Sequence, residues 1–237
     1  MTTKMRGIVS SMIFYEPVSI DEHSFILGKH FNEKFSDEMY AYYKPFIDKN
    51  RAIQLAKETW EYAVADSIPD GKWVGAGANI VDVETPNAQI DVKGLSTNSL
   101  STITSEASIL QNNKQENDNF ASLFKNEDYT GLKEMFFDPF VEKTSKANNL
   151  YIFCSIREKK NKDVYYCLLR KVNKTNKNFI SDMQMSAKRS VSMPMIDPEI
   201  GRTYLYIPKR RLEIRLNMKG MMKYCVKSHN YSGSEEA

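Results

Sequence analysis

Residues 75–96, GAGANIVDVETPNAQIDVKGLS, constrain the chain more than any other stretch. They read as two short strands, 79–84 and 89–93, joined by a tight turn. Between them sits Thr85-Pro86-Asn87-Ala88, with Pro and Asn at the turn positions they favour. Strand side chains alternate faces. Asp82 and Glu84 therefore share one face of the first strand, with Val81 and Val83 behind. On the second, Gln89, Asp91 and Lys93 share a face, backed by Ile90 and Val92. A four-residue turn pairs Glu84 with Gln89 and Asp82 with Asp91. Two carboxylates then lie side by side, an arrangement that destabilises a sheet. A divalent cation between them resolves the conflict, because hard cations prefer carboxylate oxygens. The competing reading is a half-solvated edge hairpin with charged outer positions.

An acid, a gap, then Asp-x-Lys on a strand resembles the PD-(D/E)xK nuclease superfamily, and in particular its type II restriction endonucleases. Gln89-Ile90-Asp91-Val92-Lys93-Gly94 carries the best match, and the resemblance covers about 25 residues. It implies that Asp91 is the second acid and Lys93 the catalytic lysine. The first acid is Asp82 or Asp70. Hairpin geometry favours Asp82, whereas Asp70 sits in a literal Pro69-Asp70 pair that is also a plain turn signal. Asp82, Asp91 and the Val92 carbonyl would hold Mg2+, with Glu84 and Gln89 in support. A lysine beside two carboxylates keeps its proton, so Lys93 would orient water and offset phosphate charge. In the resembled family a helix before the hairpin often presents an acid to the metal, a role open here to Glu58 or Glu61. The family also implies a homodimer cutting both strands of double-stranded DNA, with no organic cofactor.

The 237 residues suit one large domain or two small ones, and 41% hydrophobic with 27% charged residues is ordinary for a globular protein. No run of 18 apolar residues suggests a membrane span, and the first residues lack the apolar core of a signal peptide. Three widely spaced cysteines, Cys154, Cys167 and Cys225, form no zinc or disulfide pattern, and buried thiols in a cytoplasmic protein are expected. His23, His30 and His229 show no metal spacing. Gly75-Ala76-Gly77 lacks the Gly-Lys-Ser/Thr of a nucleotide loop.

Along the chain, a helix is expected from Ile20 to the stop at Gly28. Ser36-Asp37-Glu38 reads as a second helix start, and Pro45 as the beginning of a new turn. Residues 51–66 give the clearest helix, with Ile53, Ala56, Trp60, Ala63 and Val64 on one face and Gln54, Glu58, Glu61 and Ala65 on the other. Trp73 is expected to anchor the following loop. Thr104-Ser105-Glu106 reads as a helix cap, NNKQENDN (112–119) as an exposed connection, and 120–146 as helical with an aromatic face over 132–141. Residues 149–172 form a second hairpin, its first strand apolar on both faces and its tip basic.

The last third is strand-rich and basic. Residues 209–224 hold six basic side chains and one acid. Lys188, Arg189, Lys209, Arg210, Arg211 and Arg215 are the candidate DNA contacts, although lysines also blunt sheet edges. The expected fold is α/β (α+β), a central mixed β-sheet flanked by helices, restriction-endonuclease-like. A single domain is expected over residues 1–227. It comprises a helical N-terminal region (1–66), the hairpin (75–96) and a strand-rich basic region (149–227), with 228–237 a flexible tail. The expected function is Mg2+-dependent site-specific cleavage of double-stranded DNA. The alternatives are a non-catalytic DNA-binding protein using 209–224 and an interaction protein using 132–141.

Overall fold

The structure, a computed structural model, describes residues 15–49, 57–75, 81–96, 104–107, 114–128, 130–131, 134–135, 149–157, 163–171, 184–186, 190–197, 201–208, 212–215 and 218–228. In chain order these form β1 (Tyr15–Pro17), α1 (Ile20–Leu27), α2 (Phe31–Ile47), α3 (Lys57–Ser67), β2 (Lys72–Trp73), β3 (Val83–Glu84), β4 (Gln89–Ser96), β5 (Thr104–Ala107), α4 (Lys114–Lys125), β6 (Leu150–Arg157) and β7 (Val164–Lys171). There follow β8 (Gln184–Ser186), β9 (Ser190–Asp197), β10 (Gly201–Pro208), β11 (Leu212–Arg215), a helical turn Met218–Met221 and β12 (Val226–Lys227). The architecture is α+β. Among the described residues no helix is long and apolar enough to cross a membrane.

Contacts cluster into two compact units, each assembled from separated stretches. One comprises Tyr15–Leu100, Lys143–Val172 and Met221–Ala237; the other Met1–Phe14, Ser101–Glu142 and Asn173–Gly220. The chain leaves the first unit and returns to it twice more, so no single cut in the sequence separates them.

The first unit carries a mixed sheet in the order β1-β7-β6-β4-β3-β2, with β12 also on β7. β4 and β6 run parallel over eight residue pairs, and the other pairings are antiparallel. Parallel neighbours need a long crossover, and here it includes the excursion Ser101–Glu142. Strand β6 is buried on both faces as its apolar run predicts. Tyr151 and Phe153 face the helices, where Phe31, Phe35, Phe153 and Tyr166 pack ring on ring with centroids 5.2–5.5 Å apart. Such rings bury large areas and favour edge-to-face and offset contacts. The second unit carries an all-antiparallel sheet, β5-β11-β10-β9-β8.

Helix α1 forms as its signals direct. Ser19 caps it by accepting from Glu22 N–H at 3.1 Å, and Gly28 ends it at φ 90°. A Cβ at Gly28 would lie 2.9 Å from Pro69 Cδ, so the site needs glycine twice over. Helix α2 departs from expectation. It starts at Phe31, Ser36 is buried within it, and Pro45 lies in its last turn. Phe31, Phe35, Met39 and Tyr43 recur every four residues and are all buried, and this stripe overrides the local start and stop signals.

Helix α3 buries Ala63 and Val64 as expected, but also Glu61 and Ala65, which the pattern places on the outer face. The helix is therefore covered on two sides. Residues 51–56, with Ile53 and Ala56, lie outside the described residues. Trp73 is 38% exposed, an exposed strand residue rather than a core anchor. Thr104–Ala107 is strand β5, paired with β11, instead of a helix cap. Lys114 to Asn119, expected as loop, form the first half of α4. Ser228, assigned to the flexible tail, is buried, with its N–H and hydroxyl both donating to Val164 O at 2.9 Å.

Candidate metal and phosphodiester site

The hairpin has the register its alternation predicts: Val83 pairs with Ile90 and Glu84 with Gln89. Thr85 closes the turn. Its hydroxyl oxygen accepts from Asn87 N–H at 3.2 Å and Ala88 N–H at 2.9 Å, and the hydroxyl donates to Ala88 O at 3.1 Å. The hairpin does not lie at a solvated edge. β4 is interior to the sheet, between β3 and β6, with Ile90 and Val92 in the core. Asp91 is only 6% exposed.

Asp82 departs from flat hairpin geometry. Its N–H donates to Ile90 O at 3.0 Å, although Ile90 is already the register partner of Val83. The chain bends there, and Asp82 Oδ2 accepts from Val92 N–H at 2.8 Å. The two bonds bracket Asp91, bringing the two carboxylates together. Lys93, two residues along the same face, places Nζ on Asp91 Oδ1.

The electrostatics follow from this crowding. Burial pushes the Asp82 carboxyl up to about 6, and the Asp91 carboxylate adds to the rise. Lys93 and the Val92 N–H oppose it, and Glu61 pushes further upward. Glu61, on α3, is 1% exposed, and its Oε2 accepts from Trp73 Nε1 at 3.0 Å. Thus the acid on the preceding helix that bears on the hairpin is Glu61. Glu58, half-buried one turn earlier, is not among the charges acting on Asp82. The Trp73 ring in turn lies 4.7 Å from that of Tyr62. On the opposite, core-facing side of β4 Trp60 packs against Gly94, where a Cβ would come within 2.9 Å of the indole. No spacing rule links Trp73 to Glu61, so sequence reasoning misses that pair.

The remaining candidates are dispersed. Glu84 and Gln89 bond to each other at 3.1 Å at the turn end of the hairpin. With Thr85, Asn87 and Asn149 they line an open cavity of about 240 Å3. Asp70 stands in an exposed turn at φ 58°, and it is Asp82 that interacts with Asp91. Arg215 is on β11 with its backbone opposite Tyr204. Lys188, Arg189, Lys209, Arg210 and Arg211 lie outside the described residues, as do most of the 132–141 face and the 158–162 tip.

The donor set is two adjoining carboxylates, the Asp82 carboxyl raised to about 6 by burial and by Asp91, and this chemistry fits a hard divalent cation. A full all-protein cage is absent: among the described residues no three His, Cys, Asp or Glu side chains are grouped to hold a metal. Two carboxylates and a carbonyl suit Mg2+, which keeps several waters and takes few protein ligands. No family model matches the chain, and neither a curated protein nor a solved structure matches it.

Proposed function

We propose that the chain is a Mg2+-dependent endonuclease that hydrolyses phosphodiester bonds in double-stranded DNA, a restriction-type enzyme of the PD-(D/E)xK superfamily acting as a homodimer. The observation that carries this reading is the convergence of Asp82, Asp91 and Lys93 on neighbouring strands, with the Asp82 carboxyl raised to about 6. Supporting it are the resemblance at Gln89-Ile90-Asp91-Val92-Lys93 and the buried acid Glu61 on the helix before the hairpin.

In this mechanism Asp82, Asp91 and the Val92 carbonyl would hold the ion. Bound there, Mg2+ supplies a Lewis acid to the scissile phosphate and acidifies a bound water. Lys93 stands beside Asp91, where its ammonium orients the attacking water and offsets charge developing on the phosphate. Trp73 holds the Glu61 carboxylate from outside the cluster. The Val92 N–H holds one oxygen of the Asp82 carboxylate, Oδ2.

A plasmid-nicking assay with and without Mg2+ tests the proposal. Cleavage that requires Mg2+ and is lost in Asp91→Ala, with DNA binding retained, supports it. Intact DNA under Mg2+ and Mn2+ across several substrates refutes catalysis and leaves the DNA-binding alternative, which rests on the basic composition of residues 209–224. A discrete band pattern distinguishes site-specific cutting from nonspecific degradation.

A further inference from the structure

Cys154 and Cys167 lie on neighbouring strands of one sheet, and Cys225 immediately precedes a third, β12. Cys154 on β6 is directly opposite Cys167 on β7. On the other side of β7, Val226 pairs with Tyr166 and Lys227 with Tyr165. Cys225, in extended backbone at φ −82° and ψ 139°, is one step further and so faces Cys167. Ser228 N–H donates to Val164 O, which makes 228/164 a hydrogen-bonded pair. Antiparallel pairs alternate, so 226/166 is bonded and 225/167 is not. The Cys225 N–H accordingly turns to Met222 O at 3.2 Å. Non-bonded pairs bring side chains closest, with Cα atoms about 4.5 Å apart, inside the roughly 4.4–6.8 Å that disulfides span. The neighbouring Cys154 and Cys225 thiols, together with burial, push the Cys167 thiol up, and the Cys225 thiol donates to Met221 O at 3.4 Å.

We propose that Cys167 and Cys225 form a reversible disulfide, a thiol-redox site separated from the carboxylate hairpin by β6, where Cys154 is the register partner of Lys93, and independent of the nuclease reading. Cys154 and Cys167 are buried, whereas Cys225 is half-buried at the sheet edge and is the thiol an oxidant reaches. With a peroxide as oxidant, the Cys225 sulfur attacks an oxygen, the O–O bond breaks, and a sulfenic acid and one water result. The Cys167 sulfur then attacks the Cys225 sulfur, the S–O bond breaks, the thiol proton leaves with the hydroxyl, and a second water departs. Two thiols lose two electrons in all, and the peroxide gains them. The third thiol, Cys154, stands across from Cys167 and remains reduced. The new bond would tie β7 to the strand returning from the excursion Asn173–Gly220, closing that excursion into a covalent loop.

The test titrates the full chain with hydrogen peroxide, alkylates it and maps peptides by mass spectrometry without reduction. The expected product is a Cys167–Cys225 linked peptide that dithiothreitol reverses. It persists in Cys154→Ser and disappears in Cys225→Ser. Oxidised wild-type protein should melt at a higher temperature than reduced protein, with no such shift in Cys225→Ser. Cys225 driven to sulfinic acid while Cys167 stays alkylatable would overturn the proposal. So would a Cys154–Cys167 bond, or a linkage between chains, as the main product. The wild-type map decides the matter even if a variant folds poorly.

Discussion

The sheet contains two antiparallel hairpins of different build. β6 and β7 pair over seven consecutive residues, and nearly every side chain between them is buried. β3 and β4 pair at two positions only, and beyond them a side chain takes over the ladder, Asp82 Oδ2 serving Val92 N–H. The first hairpin is a scaffold whose backbone satisfies itself. The second gives up backbone pairing, and the gap is where charged oxygens gather. The parallel β4–β6 ladder joins them, so the regular hairpin holds the irregular one in place.

Substitutions can break or sharpen this contrast. The largest effect belongs to the scaffold. Phe153→Ala removes a ring that touches Phe31, Phe35 and Tyr166, and should cost about 3–5 kcal/mol in urea unfolding. A loss below about 1 kcal/mol would erase the distinction between the hairpins. Next is Asp91→Ala, which should lower Mg2+-dependent nicking by about 100-fold or more while leaving the far-ultraviolet spectrum intact. Equal damage to fold and cleavage would make Asp91 a structural residue.

Asp82→Asn should stabilise the protein. The folded carboxyl is raised from 3.8 to about 6, so the folded state holds the proton more tightly than the unfolded chain does. The cost of the charged form is full above pH 6 and vanishes below pH 3.8. After discounting for partial solvent screening, the variant should gain about 1 kcal/mol at about pH 7.5 and nothing near about pH 3.5. Unfolding at the two pH values measures this, and a gain at both would remove electrostatics as its cause. Smallest is Thr85→Ala, which deprives two turn amides of their acceptor and should cost about 1 kcal/mol. Hydrogen exchange at Asn87 and Ala88 should speed up, with β6 amides unaffected.

How far the sequence reveals all this depends on what kind of force acts. Strand alternation has a period of two, so one turn length sets the register of Glu84 with Gln89. The apolar run 150–154 likewise declares a strand buried on both sides. The bend at Asp82 is hidden, because it depends on a side chain displacing a backbone partner. Pro45 within α2 and Thr104–Ala107 as strand escape the local signals for a related reason. Long-range packing and pairing with β11 outweigh those signals there. Glu61 looks like a solvated helix residue until Trp73 and the hairpin are placed against it. The cysteines give no spacing pattern, since their neighbourhood is made by strands from distant stretches of the chain.

The strand that completes the β7 edge, β12, comes from near residue 226. On a ribosome, the carbonyl and amide of Tyr166 and the carbonyl of Val164 must wait for more than fifty further residues to be translated before they find their partners. Throughout that interval the growing chain presents an open strand edge, a template for association with other nascent chains.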